Sequence, residues 1–261
     1  MAELGPSPLA SGDELPVADA CAAIAAAIRP ITGHERLPLA LALGRVLAAD
    51  LVSPIAVPAH DNSAMDGYAL HGADLQADGP TVLAALEGTV FAGAPFTGSV
   101  ARGQCVRIMT GAVMPAGLDT VVPIELCTVA DGRVSLKPGV LRPGENRRKR
   151  GEDLAVGGVA LPAGRVLRPA DLGLAASLGR AELDVVRRLR VALFSTGDEL
   201  RSPGEPLEAG CIYDSNRFSL LGALQRLGVE VIDLGLVRDD PAALRATVDR
   251  AIAEADAVIT S

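Results

Sequence analysis

The sequence predicts a multidomain protein of mixed α+β and α/β class: an N-terminal helical segment with an inserted β-rich domain, then an incomplete doubly wound α/β domain with a parallel sheet. Three observations carry that expectation. Apolar residues recur at helical spacing near the N-terminus. The texture then changes to short segments punctuated by Gly and Pro, from about Pro54 to Gly151. A βαβαβ order begins at Val191. The expected boundaries are residues 1–55 plus 152–187 for a discontinuous helical linker domain, 56–151 for the inserted β-rich domain and 188–261 for the α/β domain.

In chain order, Val17, Cys21, Ile24 and Ile28 mark one face of a helix that Pro30 stops. A second short helical pattern runs through Leu39, Leu43 and Val46. Within the β-rich region, TVVPIELCTVADGRVSLKPG reads as a hairpin turning at Asp131-Gly132, a pair that tolerates the positive backbone angles of a tight turn. A Gly/Pro-rich passage after Gly151 leads into a short Ala/Leu helix expected to pack back onto the N-terminal helices. VALFS then reads as a buried strand, Asp214 or Ser215 caps a helix through Leu227, and VEVIDLGLV is a second buried strand. Pro241 starts another helix with Leu244, Val248 and Ile252 on one face, and DAVITS is a third strand. No helix follows to cover it, so the last domain is expected to be cut off at Ser261 with an open strand edge.

Composition narrows the function. Hydrophobic residues make up 49% of the 261 and aromatics 2%, so the core must be built from aliphatic side chains. A net charge of -8 argues against non-specific attraction to nucleic acid or an anionic membrane. Cys21, Cys105, Cys127 and Cys211 lack zinc-type spacing and read as buried free thiols. The opening segment carries acids where a leader would carry bases, and no apolar run is long enough to span a bilayer, so a cytoplasmic protein is expected. His34, His60 and His71 show no ligand spacing, and neither a G-x-S-x-G nor a P-loop is present. Covalent nucleophilic catalysis has no visible candidate.

Chemistry concentrates in four stretches. Asp61–Leu70, DNSAMDGYAL, packs two carboxylates and short polar side chains between apolar anchors; Gly67 is expected to supply a backbone angle closed to other residues. Thr110-Gly111 follows a predicted strand, where a hydroxyl beside a flexible glycine suits a phosphate oxygen. Arg147, Arg148, Lys149 and Arg150 are consecutive and flanked by Asn146 and Asp153; in an acidic chain they offer an anionic ligand a local attraction. The predicted parallel strands end in Ser195-Thr196-Gly197-Asp198-Glu199, Arg238-Asp239-Asp240 and Thr260-Ser261. Ligands of open parallel sheets bind at that edge, and oxygen donors without thiol or imidazole suit Mg²⁺.

Taken together, PAHDNSAMDGYAL, RIMTGAVMPAGLDTVV, GENRRKRGEDL, RVALFSTGDEL, IYDSNR and LGLVRDDPAAL closely resemble the molybdopterin molybdenumtransferase family, known as MoeA in bacteria and as the E domain of gephyrin in animals. The resemblance runs from about Leu15 onward and implies that residues 188–261 form a molybdopterin-binding, MoaB/Mog-like α/β domain. It implies an enzyme that joins molybdate to adenylylated molybdopterin, releases AMP and needs Mg²⁺. It further implies that Asp66, Thr110, Asp153, Glu199 and Asp239 are the functionally important positions, with Glu199 and Asp239 toward the metal. Ser63, Asn146, Arg147, Arg148, Ser195, Thr196 and Gly197 are the expected substrate contacts. Family members are homodimers whose active site forms between subunits, and molybdopterin adenylyltransferase is the expected pathway partner. Members continue into a glycine-rich turn and a C-terminal β-barrel that do not follow here, so a C-terminally truncated member is implied. Two other readings stand beside the transferase: a non-catalytic molybdopterin-binding or scaffold module of gephyrin type, and a Mg²⁺-dependent nucleotide hydrolase resting on the acidic sheet edge alone.

Overall fold

The structure, a computed structural model, describes residues 15–261; the acidic opening, on which the absence of a leader was read, lies largely outside them. By contacts the chain divides into two compact units, residues 36–185 and residues 1–35 with 186–261. Helix α1 (Val17–Ala27) forms where its apolar spacing predicts and ends as Ile28 turns extended. It buries none of its residues: Val17, Ile24 and Ile28 are 80%, 62% and 66% exposed. Cys21 on this helix is exposed and Cys127 and Cys211 are only partly buried, so the expectation of buried thiols holds for Cys105 alone. Burial pushes the Cys105 thiol up to about 12, which leaves it protonated and unreactive.

Strand β1 (His34–Pro38) is followed by the second predicted helix, which shrinks to a single 3-10 turn at Leu39–Leu41. Gly44 adopts a φ of +72° and leaves the helical path, and its N–H bonds Leu167. Val46 and Leu47 then pair with Val166 and Val185, so extended bridges replace helical hydrogen bonds here. Next come β2 (Leu51–Val52), β3 (Asn62–Ser63), β4 (Gly67–Leu70), β5 (Thr81–Val90), β6 (Gln104–Ile108), β7 (Thr120–Pro123), β8 (Cys127–Ala130), β9 (Arg133–Leu136) and β10 (Arg147–Arg148). Six of them form one sheet in the order β7-β4-β6-β5-β9-β8, parallel only between β5 and β6. Alternation sends Ala69, Val106, Ile108 and Val121 into one core and Tyr68, Leu70, Cys105 and Val122 into another on the opposite face. The β8–β9 hairpin turns at Asp131 and Gly132 with φ of 51° and 71°, as that dipeptide predicts.

Gly67 is needed for a reason other than the expected one. Its φ lies outside the left-handed region; what forbids a side chain is β7, because a Cβ there would lie 1.8 Å from the Val122 carbonyl oxygen. The chain closes this unit with β11 (Val159–Leu161), which pairs with β2, helix α2 (Pro169–Ser177) and β12 (Glu182–Val186), which pairs with β1. Their core joins Ala42, Leu47 and Leu51 to Leu161, Leu167, Ala175, Leu178 and Val185. Helix α2 therefore packs on the 3-10 turn and this core. Its start is fixed by buried Asp171, which takes Arg165 at 2.8 Å and the Arg168 N–H at 2.9 Å. The Arg165 bond first, then the Arg168 N–H, hold that carboxyl far below the usual range.

In the other unit, β13 (Arg190–Thr196) is followed by β14 (Leu200–Arg201), β15 (Ile212–Tyr213), α3 (Ser215–Arg226), β16 (Glu230–Val237), α4 (Pro241–Glu254) and β17 (Ala257–Thr260). The sheet order is β16-β13-β17, all parallel, with Val191 and Leu193 packed on Leu224 of α3. Asp214 caps α3 by accepting the Arg217 N–H, and Asp240 caps α4 by accepting that of Ala243. The predicted apolar stripe of α4 is not its buried face: Ala251 is fully buried while Ile252 is 67% exposed. Among the described residues no helix is long and apolar enough to cross a membrane.

Two predictions follow from this packing. Gly67→Ala should lower the urea midpoint, by about 1–3 kcal/mol of stability for a forced overpacking, and an unchanged midpoint would contradict the β4–β7 contact. Asp256 is gripped by Arg187 at 2.6 and 2.7 Å and by the Arg190 N–H at 2.9 Å, which lowers its carboxyl from 3.8 to about 2. A carboxyl depressed in the folded state stabilises it above the unfolded pKa, and that contribution disappears as pH falls through the folded value. Asp256→Asn should therefore be less stable than the parent at neutral pH and lose less further stability between roughly pH 4 and pH 2 in acid titrations of unfolding.

Candidate functional site

Two groups of polar residues stand out, one in each unit. In the β-rich module the loop before β4 and the turn after β6 meet because those strands are antiparallel neighbours, with Gly67 opposite Ile108. Asp66 and Thr110 extend that pairing by one step. The Thr110 N–H and hydroxyl both donate to Asp66 Oδ1, each at 2.7 Å. Oδ2 takes no hydrogen bond among the described residues. The Thr110 hydroxyl first, then its N–H and the nearby Arg107 charge, hold the Asp66 carboxyl below its ordinary value against a smaller opposing effect of burial. The result is a fixed, ionised carboxylate with one oxygen facing outward.

The surrounding loop is fastened by backbone bonds. Gly111 N–H bonds Ser63 O at 2.8 Å, Ser63 N–H bonds Ala112 O at 3.0 Å, and Ala64 N–H bonds Asn146 O at 2.9 Å. Ser63 is buried, and its hydroxyl donates to Met65 O at 2.5 Å within the same loop. Asn146, at a φ of 59°, donates its amide to Val121 O at 2.9 Å. Of the expected substrate contacts, these two side chains hold the loop in shape.

Two of the four consecutive cations, Arg147 and Arg148, are answered by acids. Arg147 pairs with Ser63 across β3–β10 and lies 3.6 Å from Asp61 Oδ2. Arg148 bonds Glu152 at 2.7 Å and also pairs with Asp153. Glu152, unremarked in the sequence, also accepts the Lys149 N–H at 2.8 Å. Asp153 thus sits in this module as the partner of Arg148. Arg107 was likewise missed; the available signal was a cation inside QCVRI, at a position whose strand neighbours on that face are apolar. Its guanidinium lies 5.4 Å from the centroid of the Tyr68 ring, and its Nε is buried without an acceptor, a state that costs about 1–3 kcal/mol if nothing answers it.

The second group lies at the C-terminal edge of the parallel sheet, where the register aligns Thr196 with Val237 and Phe194 with Thr260. Ser195 is fully buried and donates to Asp214 Oδ1 at 3.1 Å. Arg217 joins the network, bonding Asp214 at 2.9 Å and Asp233 at 2.7 Å. The Ser195 hydroxyl thus anchors the strand end from inside, while Thr196 is only half-buried and its N–H bonds Ser261 O at 2.9 Å. Gly197 has a φ of +145°, and a Cβ there would lie 2.6 Å from Glu199 Oε2, so the glycine leaves room for that carboxylate. Glu199 and Asp239 are exposed on this edge, and the Asp239 N–H points at Asp198 Oδ1 at 3.4 Å. Beside them opens a cleft of about 720 Å³ lined by Gly197, Asp198, Arg201, Glu208 and Arg238.

Among the described residues no three Asp, Glu, His or Cys side chains converge as a metal cage. The donor chemistry of Glu199 and Asp239 nonetheless fits Mg²⁺, which takes one or two protein carboxylates and completes its shell with water and ligand phosphate.

Comparison with known proteins finds one family along both parts of the chain. Residues 15–179 match the family model described as MoeA N-terminal region (domain I and II), and residues 192–261 match a probable molybdopterin binding domain. The chain is 45% identical over 231 residues to the molybdopterin molybdenumtransferase of Haemophilus influenzae, covering 88% of this chain and 56% of the relative. It is 41% identical over 237 residues to molybdopterin molybdenumtransferase 2 of Mycobacterium tuberculosis, covering 90% and 57%. The crystal structure of the molybdopterin biosynthesis moeA protein from Pyrococcus horikoshii OT3 superposes with a TM-score of 0.81 at 32% identity, over 89% of this chain and 62% of that one. The chain thus spans little more than half the length of the curated relatives it matches.

Removing one of the two donors should be visible directly. Thr110→Val keeps the N–H and loses the hydroxyl, so the Asp66 carboxyl should titrate closer to 3.8 than in the parent, followed by carbon-13 carboxyl NMR. Identical titrations would remove the hydroxyl as the leading cause.

Proposed function

The chain belongs to the MoeA family, and from that premise we propose that it carries the molybdopterin molybdenumtransferase reaction, joining molybdate to the dithiolene of adenylylated molybdopterin and releasing AMP. The observation that carries the reading is the Asp66–Thr110 pair, an ionised carboxylate held rigid with one oxygen left for a ligand. Asp66 would accept a hydrogen bond from the ligand and fix its approach, since a carboxylate whose position is already set loses little entropy on binding. Thr110 keeps that carboxylate charged, and Arg148 holds Asp153 near the same loop.

Glu199 and Asp239, on the sheet edge with the Gly197 turn, would hold Mg²⁺ together with ligand phosphate. The metal would supply positive charge where negative charge gathers on the departing phosphate. Thr196 N–H is committed to Ser261, so the Thr196 side chain and the Gly197 backbone are what that turn offers a substrate. The proposal extends to a cytoplasmic homodimer whose active cleft forms between subunits, supplied by an adenylyltransferase that makes the activated pterin.

The test uses the full-length protein with synthetic or enzymatically made substrate. Asp66→Asn keeps the shape and removes the charge, and Glu199→Gln does the same at the sheet edge. Each should lower AMP release and molybdate insertion by about 100-fold or more while far-UV spectra stay put and the protein remains folded at the assay temperature. Undiminished insertion by Asp66→Asn removes that residue from the mechanism. Binding of the adenylylated pterin without any AMP release by the parent would favour a scaffold role instead.

A further inference from the structure

We infer that Arg107 is an oxyanion-binding residue of the Asp66–Thr110 loop, presenting unpartnered guanidinium N–H donors to a phosphoryl or molybdate oxygen of the ligand. The inference rests on the transferase reading and deepens it by naming the cation that meets the substrate's negative charge.

The argument begins with strand pairing. Tyr68 lies opposite Arg107 and Leu70 opposite Cys105, so these four side chains share one face of the sheet. Leu70 and Cys105 are fully buried and Tyr68 nearly so. A guanidinium at the end of such a row is out of place unless something there needs it. The Tyr68 ring, 5.4 Å away, favours the positive charge but provides no lone pair for the five N–H donors.

A comparison among arginines sharpens the point. Three of them, Arg107, Arg147 and Arg165, have a buried Nε without an acceptor. For two of the three the guanidinium is otherwise engaged: Arg147 faces Asp61 at 3.6 Å and Arg165 bonds Asp171 at 2.8 Å. Arg107 has neither an ion pair nor a hydrogen bond among the described residues. Arg148, the other cation close to this loop, is already neutralised by Glu152 and Asp153. Lys149 and Arg150 are exposed, where water screens them.

Charge balance points the same way. Asp66 alone would repel an anion, and the carboxylate is held ionised in part by the Arg107 charge. Asp66 stands two residues before Tyr68, the residue paired with Arg107, so an acceptor and a set of donors lie on neighbouring strands, the combination that a ligand carrying both hydroxyl or amide protons and an oxyanion would use. Lysine in its place would keep the charge but lose the planar fork that matches a tetrahedral oxyanion.

The test measures binding of two probes, sodium molybdate and inorganic pyrophosphate, to the parent chain, Arg107→Gln and Arg107→Lys by calorimetric titration. The parent should bind at least one probe. Arg107→Gln should weaken that binding about tenfold or more, and Arg107→Lys should retain an intermediate affinity. Loss confined to pyrophosphate assigns the oxyanion to the phosphoryl group, and loss confined to molybdate assigns it to the metal oxyanion. In the parent itself, the same probe should shift the Arg107 Nε–H resonance in nitrogen-15 spectra, a readout independent of whether any variant folds. Unchanged affinity in Arg107→Gln, a silent resonance, or a parent that binds neither probe overturns the assignment. If Asp66→Asn abolishes turnover while Arg107→Gln binds normally, only the Arg107 assignment fails. If oxyanion binding depends on Arg107 but no AMP is released, only the transferase reading fails.

Discussion

A single carboxylate oxygen, Asp66 Oδ1, collects both donors of Thr110, and the candidate site of the β-rich module depends on that pair of hydrogen bonds. The two residues stand at the edges of adjacent antiparallel strands, so the contact ties the loop before β4 to the turn after β6 without any rearrangement of the sheet. Gly67 makes the geometry possible, because β7 passes so close to its Cα that no side chain fits. Charge-assisted hydrogen bonds are short and strong, and here they fix both the position and the ionisation of the group expected to meet the ligand.

Around that lock the charges are arranged to cancel. Of the basic run, Arg147 and Arg148 are folded against Asp61, Glu152 and Asp153, while Lys149 and Arg150 stay exposed. Solvent-exposed pairs of this kind add little stability, so their consequence is mainly electrostatic: they halve the free charge of the run. What remains is local, a carboxylate beside a guanidinium that rests on a tyrosine ring.

The α/β unit uses buried charge differently. Arg217 lies inside the fold between Asp214 and Asp233, and Asp214 also receives the Ser195 hydroxyl and the N–H that starts α3. Burial works against the Arg217 charge, but its bonds to the two carboxylates outweigh that effect and raise its pKa. Taking Asp214 and Arg217 out of water is expensive, and similar volumes of aliphatic side chains would often serve stability as well. The evident effect of the network is to tie the end of β13 to the first turn of α3 and to β16. Glu199 and Asp239, by contrast, are exposed on the same sheet edge.

Much of this was legible in the chain. Periodicity located α1, α3, α4 and the parallel strands, Asp131-Gly132 declared its turn, and the motifs singled out Asp66 and Thr110, which the fold brings into contact. These features are local: helical spacing, turn chemistry and caps depend on residues a few positions apart. The second predicted helix failed because Gly44 and distant partners at Val166 and Val185 drew residues 44–47 into extended pairing. Ser63, Asn146 and Ser195 read as ligand contacts but are engaged by their own loops and strand neighbours, and Arg107 reads as part of a strand although, among the described residues, it meets only the Tyr68 ring and forms no hydrogen bond or ion pair. The amino-acid order determined which elements form and which chemistries are present. Only the tertiary structure decided which polar groups are already satisfied and which remain free, because a hydrogen bond or ion pair is settled by neighbours brought together across the fold, and those neighbours lie far apart in the chain.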